Sequence, residues 1–162
     1  MVALSLGAIL CAGVLAAYLF VGRNLTRLVN FQSQEVESRR TLQYFTEDAS
    51  SAITLTTATA SSLALTKPTE SGTTAVAYAY ASAAGTLTRT DGAGSRVILT
   101  GLTSLTFSYY NEGGTEIAGN PQSVKAVELS FASASGSAAS GTKASYTTVS
   151  PRVVLRNKQT LQ

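Results

Sequence analysis

The chain has 162 residues, a net charge of +3 and a charged fraction of 13%, about half of what a folded domain usually carries. It contains no histidine, no tryptophan and one cysteine, which excludes a disulfide framework, a Cys/His metal centre and His-based acid–base chemistry. Arg23, Arg27, Arg39 and Arg40 interleave with Glu35, Glu37, Glu47 and Asp48, a pattern too dilute to follow a phosphate backbone.

Residues 1–22 carry no charged side chain, and Arg23 is the first. As a helix rising ~1.5 Å per residue, this stretch is ~33 Å long, close to the hydrocarbon thickness of a bilayer. A secretory signal would show a basic start and a small-x-small cleavage site; this segment starts uncharged and closes on Tyr18-Leu19-Phe20-Val21. A buried helix without a polar face would be out of proportion to so small a chain. The expectation is a single transmembrane helix over 1–22. Small residues at four-residue spacing, Ala3 with Gly7 and Ala8 with Ala12 and Ala16, together with Gly13, let another helix approach closely and mark an assembly face. Cys11, the one cysteine, lies in this stretch.

The positive-inside rule places Arg23 and Arg27 in the cytoplasm, which conflicts with the extracytoplasmic look of the Ser/Thr-rich region downstream. Residues 23–52 continue the helical pattern without a proline, as an amphipathic stalk. Its packing residues are Leu28, Phe31, Val36, Leu42 and Phe45, on a loose apolar stripe that also takes in Ala49 and Ala52. Glu35 with Arg39 and Glu37 with Arg40 stand at helical spacing. Ser50-Ser51 before the β-branched run at Ile53 predicts the helix stop.

Residues 53–162 alternate as strands do. Val76, Tyr78 and Tyr80 share one face, with Ala77 and Ala79 on the other. Ala84-Gly85 predicts a turn into a strand over 86–90, and Asp91-Gly92-Ala93-Gly94 a hairpin turn before a strand over 96–100. Leu105, Phe107 and Tyr109 alternate with Thr106 and Ser108, and Val127, Leu129 and Phe131 with Glu128 and Ser130. Val153 and Leu155 close the set. The Ser/Ala/Gly tract over 132–142 reads as a mobile loop.

Catalytic candidates are few. Ser140 and Lys143 have Ser-x-x-Lys spacing, but the tract is not a helix and no companion motif occurs elsewhere. Glu47-Asp48 on the stalk and Glu112 with Glu116 around a Gly-Gly turn read as solvated pairs, because nothing encloses them. Asp91-Gly92-Ala93-Gly94 lacks the further carboxylates of a calcium loop. Tyr78, Tyr80, Tyr109, Tyr110 and Tyr146 read as packing of the sheet, with an aromatic binding face as the alternative. The expectation is a protein that is not an enzyme and holds no cofactor or metal.

An apolar helix that continues as a stalk into a small antiparallel sheet resembles the layout of type IV pilin-like proteins. Met1-Val2-Ala3-Leu4-Ser5-Leu6-Gly7 is similar to the middle of that family's N-terminal signature. Arg39-Arg40-Thr41-Leu42 through Phe45, with Glu47-Asp48-Ala49, resembles the stalk of its PilW and GspJ group of minor pilins and pseudopilins. Tyr78-Ala79-Tyr80, Gly85 to Arg89, Leu105 to Tyr110, Val124 to Phe131 and Pro151 to Asn157 follow the strand order of that group. The family's leader, cleavage site, signature glutamate and N-terminal methylation motif are absent from these residues, which implies that Met1 lies inside the mature helix. The missing leader would also supply the basic residues that settle the orientation.

The resemblance implies an α+β fold, a long N-terminal helix packed on an antiparallel β-sheet. It implies a single-pass protein of the bacterial inner membrane with a periplasmic or extracellular domain. The implied function is a structural subunit that joins a type IV pilus or a type II secretion pseudopilus through its N-terminal helix. Its partners would be other such subunits and the inner membrane, with no nucleic acid and no small-molecule substrate. The alternative is a membrane-tethered module that recognises a surface ligand through its tyrosines and the 132–142 tract.

Overall fold

Among the described residues, helix α1 (Val2–Ser51) is followed by ten strands. A computed structural model of the chain describes residues 2–118, 120–135 and 144–158; the side chains of 2–6, 8–10, 26–28, 30–31, 135 and 144–146 lie outside that description. The chain forms two compact units, Met1–Glu35 and Val36–Gln162. In the first, every described side chain from Cys11 to Val21 is exposed. The boundary between the units falls inside the segment expected as a stalk over 23–52, and the last turns of α1 belong to the β-rich unit.

The strands are β1 (Thr54–Ala58), β2 (Ser62–Thr69), β3 (Gly72–Ala81), β4 (Thr86–Asp91), β5 (Gly94–Leu99), β6 (Leu102–Tyr110), β7 (Glu116–Ile117), β8 (Ala126–Ser135), β9 (Ala144–Val149) and β10 (Val153–Val154). A first sheet runs β1-β2-β3-β4-β5, each strand antiparallel to the one before. A second sheet has the order β10-β8-β6-β7, with β9 beside β10 along the same edge of β8. Phe107 pairs with Leu129 and Leu105 with Phe131, so the apolar residues of β6 and β8 share one face.

Backbone and side-chain bonds join the two sheets at the β1–β2 turn. The Phe107 N–H donates to the Ala60 carbonyl at 2.9 Å, while within the first sheet the Tyr80 N–H holds the same turn through the Ser61 carbonyl at 2.9 Å. The Tyr109 hydroxyl reaches the Thr59 carbonyl at 2.8 Å. At the β3–β4 turn, Gly85 has φ of 60°, and a Cβ there would lie 2.7 Å from the Leu102 carbonyl oxygen. Only glycine fits that turn without strain.

One apolar core contains the inner faces of both sheets together with Phe45, Ala49 and Ala52. The Phe45 ring meets Tyr78 of the first sheet edge-on, with centroids 6.2 Å apart, and Phe107 of the second sheet at 6.2 Å. Helix α1 ends where the Ser51 hydroxyl donates to the Glu47 carbonyl at 2.7 Å, and the Asn157 side-chain amide donates to the Ser51 carbonyl.

Three expectations are corrected. The fold is not an α+β arrangement of a membrane-spanning helix laid on one sheet; it is mostly antiparallel β-structure in two sheets. Period-2 alternation marks strands but does not say which strands pair, so one sheet and two look alike in sequence. Among the described residues, no helix is long and apolar enough to cross a membrane. The single-pass inner-membrane location fails with it, as do the transmembrane, periplasmic, pilus-assembly and secretion attributes attached to that span.

Candidate functional site

Helical phasing places Phe45, Asp48 and Ala49 on the buried side of the last turns of α1, with Ala52 just past its end, all within 1% of full burial. An aspartate in that row brings a carboxylate into the core. Its partners come from the inner-facing positions of β2, β3 and β4. Lys67 Nζ donates to Asp48 Oδ1 at 2.6 Å, the Tyr78 hydroxyl to Oδ2 at 2.6 Å, and Arg89 Nε to Oδ2 at 2.8 Å. A second Arg89 nitrogen, Nη2, reaches Oδ1 at 3.2 Å, and Nη1 pairs with Asp91.

The charges close locally, two cations against two carboxylates. Burial pushes the Asp48 carboxyl up, but hydrogen bonds from Arg89, Lys67 and Tyr78 outweigh it and hold it below the ordinary carboxylate value. Burial, followed by the neighbouring Asp48 charge, raises Tyr78 well above a normal phenol. The hydrogen bond to Asp48 raises Arg89. The Ala93 N–H at the hairpin turn, then Arg89, lowers Asp91. Both Asp48 oxygens accept hydrogen bonds and the phenol is held protonated, so the cluster offers no free base. It ties the helix to three strands.

Around it, Tyr44 lies beneath two guanidinium groups, with Arg96 5.1 Å and Arg89 5.6 Å from its ring centroid. The Thr41 hydroxyl donates to the Ile98 carbonyl on edge strand β5 at 3.1 Å. A second buried cation sits near the chain's end. Lys158 Nζ donates to the Gln122 and Val124 carbonyls at 2.7 and 2.9 Å, while Lys125 Nζ donates to the Lys158 carbonyl at 2.7 Å. Burial, and then Lys125, lowers the Lys158 ammonium.

The residues predicted to pack or assemble are placed as follows. Phe45 is fully buried, Leu42 packs against the core, and Val36 is 59% exposed. Gly7, Ala12, Gly13 and Ala16 are exposed on α1. The side chains of Ala3, Ala8, Leu28 and Phe31 lie outside the described residues, as do Ser140 and Lys143 and most of the 132–142 tract, whose first residues belong to β8. Tyr78 and Tyr109 are buried in the core and half-buried Tyr80 packs against it, while Tyr110 is buried beneath the Arg152 guanidinium; the Tyr146 side chain lies outside the described residues. Cys11, Val14, Leu15 and Tyr18 line one face of α1 at i, i+3, i+4 and i+7 spacing. Among the described residues, no group of three His, Cys, Asp or Glu side chains is placed to hold a metal.

Sequence reasoning took Asp48 for half of a solvated pair with Glu47. The available signal was its spacing, three residues after Phe45 and four before Ala52. No family model and no curated protein matches the chain.

Proposed function

We propose that the protein is a structural, non-enzymatic subunit that assembles with other subunits through helix α1. The observation that carries this reading is a run of large apolar side chains open to solvent: Val14, Leu15, Tyr18, Leu19, Phe20 and Val21, with Tyr18 76% exposed. Soluble monomers rarely leave such a contiguous apolar surface uncovered, and a partner helix offers the matching surface. Gly7, Gly13 and Gly22 leave open space where a Cβ would sit, which allows close approach of a second helix. The β-rich unit adds a rigid body whose buried charges are internally satisfied.

The test replaces Val14, Leu15 and Leu19 by serine in the full chain and measures assembly size by light scattering, with the Cys11 thiol as a cross-linking reporter. Loss of large species and of Cys11 cross-links, with the β unit still folded, is the expected result. Assemblies of unchanged size would overturn the reading.

A further inference from the structure

The first sheet has an outer face quite unlike its inner one. Alternation sends Lys67, Arg89 and Asp91 inward with the core residues, and Arg96, the cross-strand partner of Arg89, lies on the same side over Tyr44, so the outward positions of all five strands carry no ionisable side chain. A folded surface usually has about a quarter to a third of its positions charged. It also has no aromatic ring on which a sugar could stack, because Tyr78 and Tyr80 point inward.

This face has relief. The outward positions of β3 include Ala77, Ala79 and Ala81, and those of the neighbouring β4 are Thr86, Thr88 and Thr90. Register sets them in rows: Ala77 beside Thr90, Ala79 beside Thr88, Ala81 beside Thr86. The alanines make a shallow channel, and the threonines make a ridge one strand spacing away, ~4.8 Å. Ala79, Ala81 and Thr90 are exposed.

We propose that the outer face of the first sheet is a self-association surface that takes the same face of a second copy of this chain. The charge argument selects the occupant. A neutral face gains nothing from an ionic partner and would strip that partner's charges of water, whereas its own copy brings no charge to desolvate. The shape argument agrees. A two-fold axis parallel to the strands, midway between β3 and β4, lays the threonine ridge of each copy into the alanine channel of the other. Thr88 then meets Ala79 of the second copy and Thr90 meets Ala77, a self-complementary interface of the isologous kind. This surface belongs to the β-rich unit and does not depend on assembly through α1.

The experiment uses the full chain with Cys11→Ser, in detergent that solvates the apolar side chains of α1. Chains carrying Ala79→Cys are mixed with chains carrying Thr88→Cys under mild oxidation. The expected product is a mixed cross-linked dimer, well in excess of what either variant forms alone. In parallel, Thr88→Glu buries an unpaired carboxylate and weakens association at least about tenfold, while Thr106→Glu on the outer side of the second sheet leaves it unchanged. Mixing Thr88→Glu with Ala79→Lys chains restores the dimer. Cross-linking no greater in the mixture than in the separate variants overturns the proposal. So does a folded Thr88→Glu chain that still associates as the parent does. The conservative cysteine pair decides the matter if the glutamate variant does not fold.

Discussion

The inner and outer faces of the first sheet reverse the usual placement of charge. Inward, Lys67 and Arg89 converge on Asp48 from α1, with Asp91 behind Arg89. Outward, alanine and threonine alternate across the strands without an ionisable group. In a chain with few charges, those near the helix end are used where they choose a single docking of helix on sheet. A purely apolar contact between Phe45 and the core would tolerate a slip of the helix; a carboxylate that must meet three donors on three strands would not. The outer face keeps strand propensity through its threonines and leaves a neutral surface.

The largest test of this contrast removes the inner anion. Asp48→Ala leaves Lys67 and Arg89 facing each other without a counter-charge, at a cost of about 3–5 kcal/mol in urea unfolding. A loss below 1 kcal/mol would mean the cluster is already hydrated. Tyr78→Phe removes one hydrogen bond to a buried carboxylate and is expected to cost about 1.5–3 kcal/mol. The coupling of these two changes in a double-mutant cycle should exceed 0.5 kcal/mol, roughly the limit for independent sites.

The pH dependence sharpens the same point. Asp48 titrates lower in the folded chain than in the unfolded one, so its contribution is fully present above the unfolded value of about 3.9 and is lost as pH falls through the folded one. Thermal melts below about pH 4 should therefore show a steeper loss for the parent than for Asp48→Asn. Lys158 acts in the same sense but in an alkaline window, since its lowered ammonium makes stability rise as pH climbs toward the unfolded lysine value of about 10.4. Lys158→Met should flatten that alkaline slope.

The smallest effect belongs to the outer face. Thr90→Lys, measured in dilute monomer, is expected to change stability by no more than about 0.5 kcal/mol. A cost comparable to that of Tyr78→Phe would show that the face is covered within the chain itself.

Much of the β-structure was legible. The alternation of Val76, Tyr78 and Tyr80 and of Leu105, Phe107 and Tyr109 identifies both the strands and their buried sides. Asp91-Gly92-Ala93-Gly94 closes the β4–β5 hairpin, where the Ala93 N–H donates to the Asp91 carboxylate at 2.9 Å. Asp48 was not legible in the same way. Its donors lie 19, 30 and 41 residues further along the chain, and a local reading of Glu47-Asp48 sees only two carboxylates on a helix.

By itself the sequence determined an uncharged N-terminal stretch, the helical period through Ser51, and strands with defined inward residues from Thr54 onward. These follow from side-chain spacing, which is a local property of the chain. The tertiary structure decided the rest: the division of ten strands into two sheets at the β1–β2 turn, the seating of Phe45 between them, and the burial of Asp48 among Lys67, Tyr78 and Arg89. Each depends on which strands meet in space. Alternation has the same period whichever strand a given strand pairs with, so that information appears only when the whole core closes.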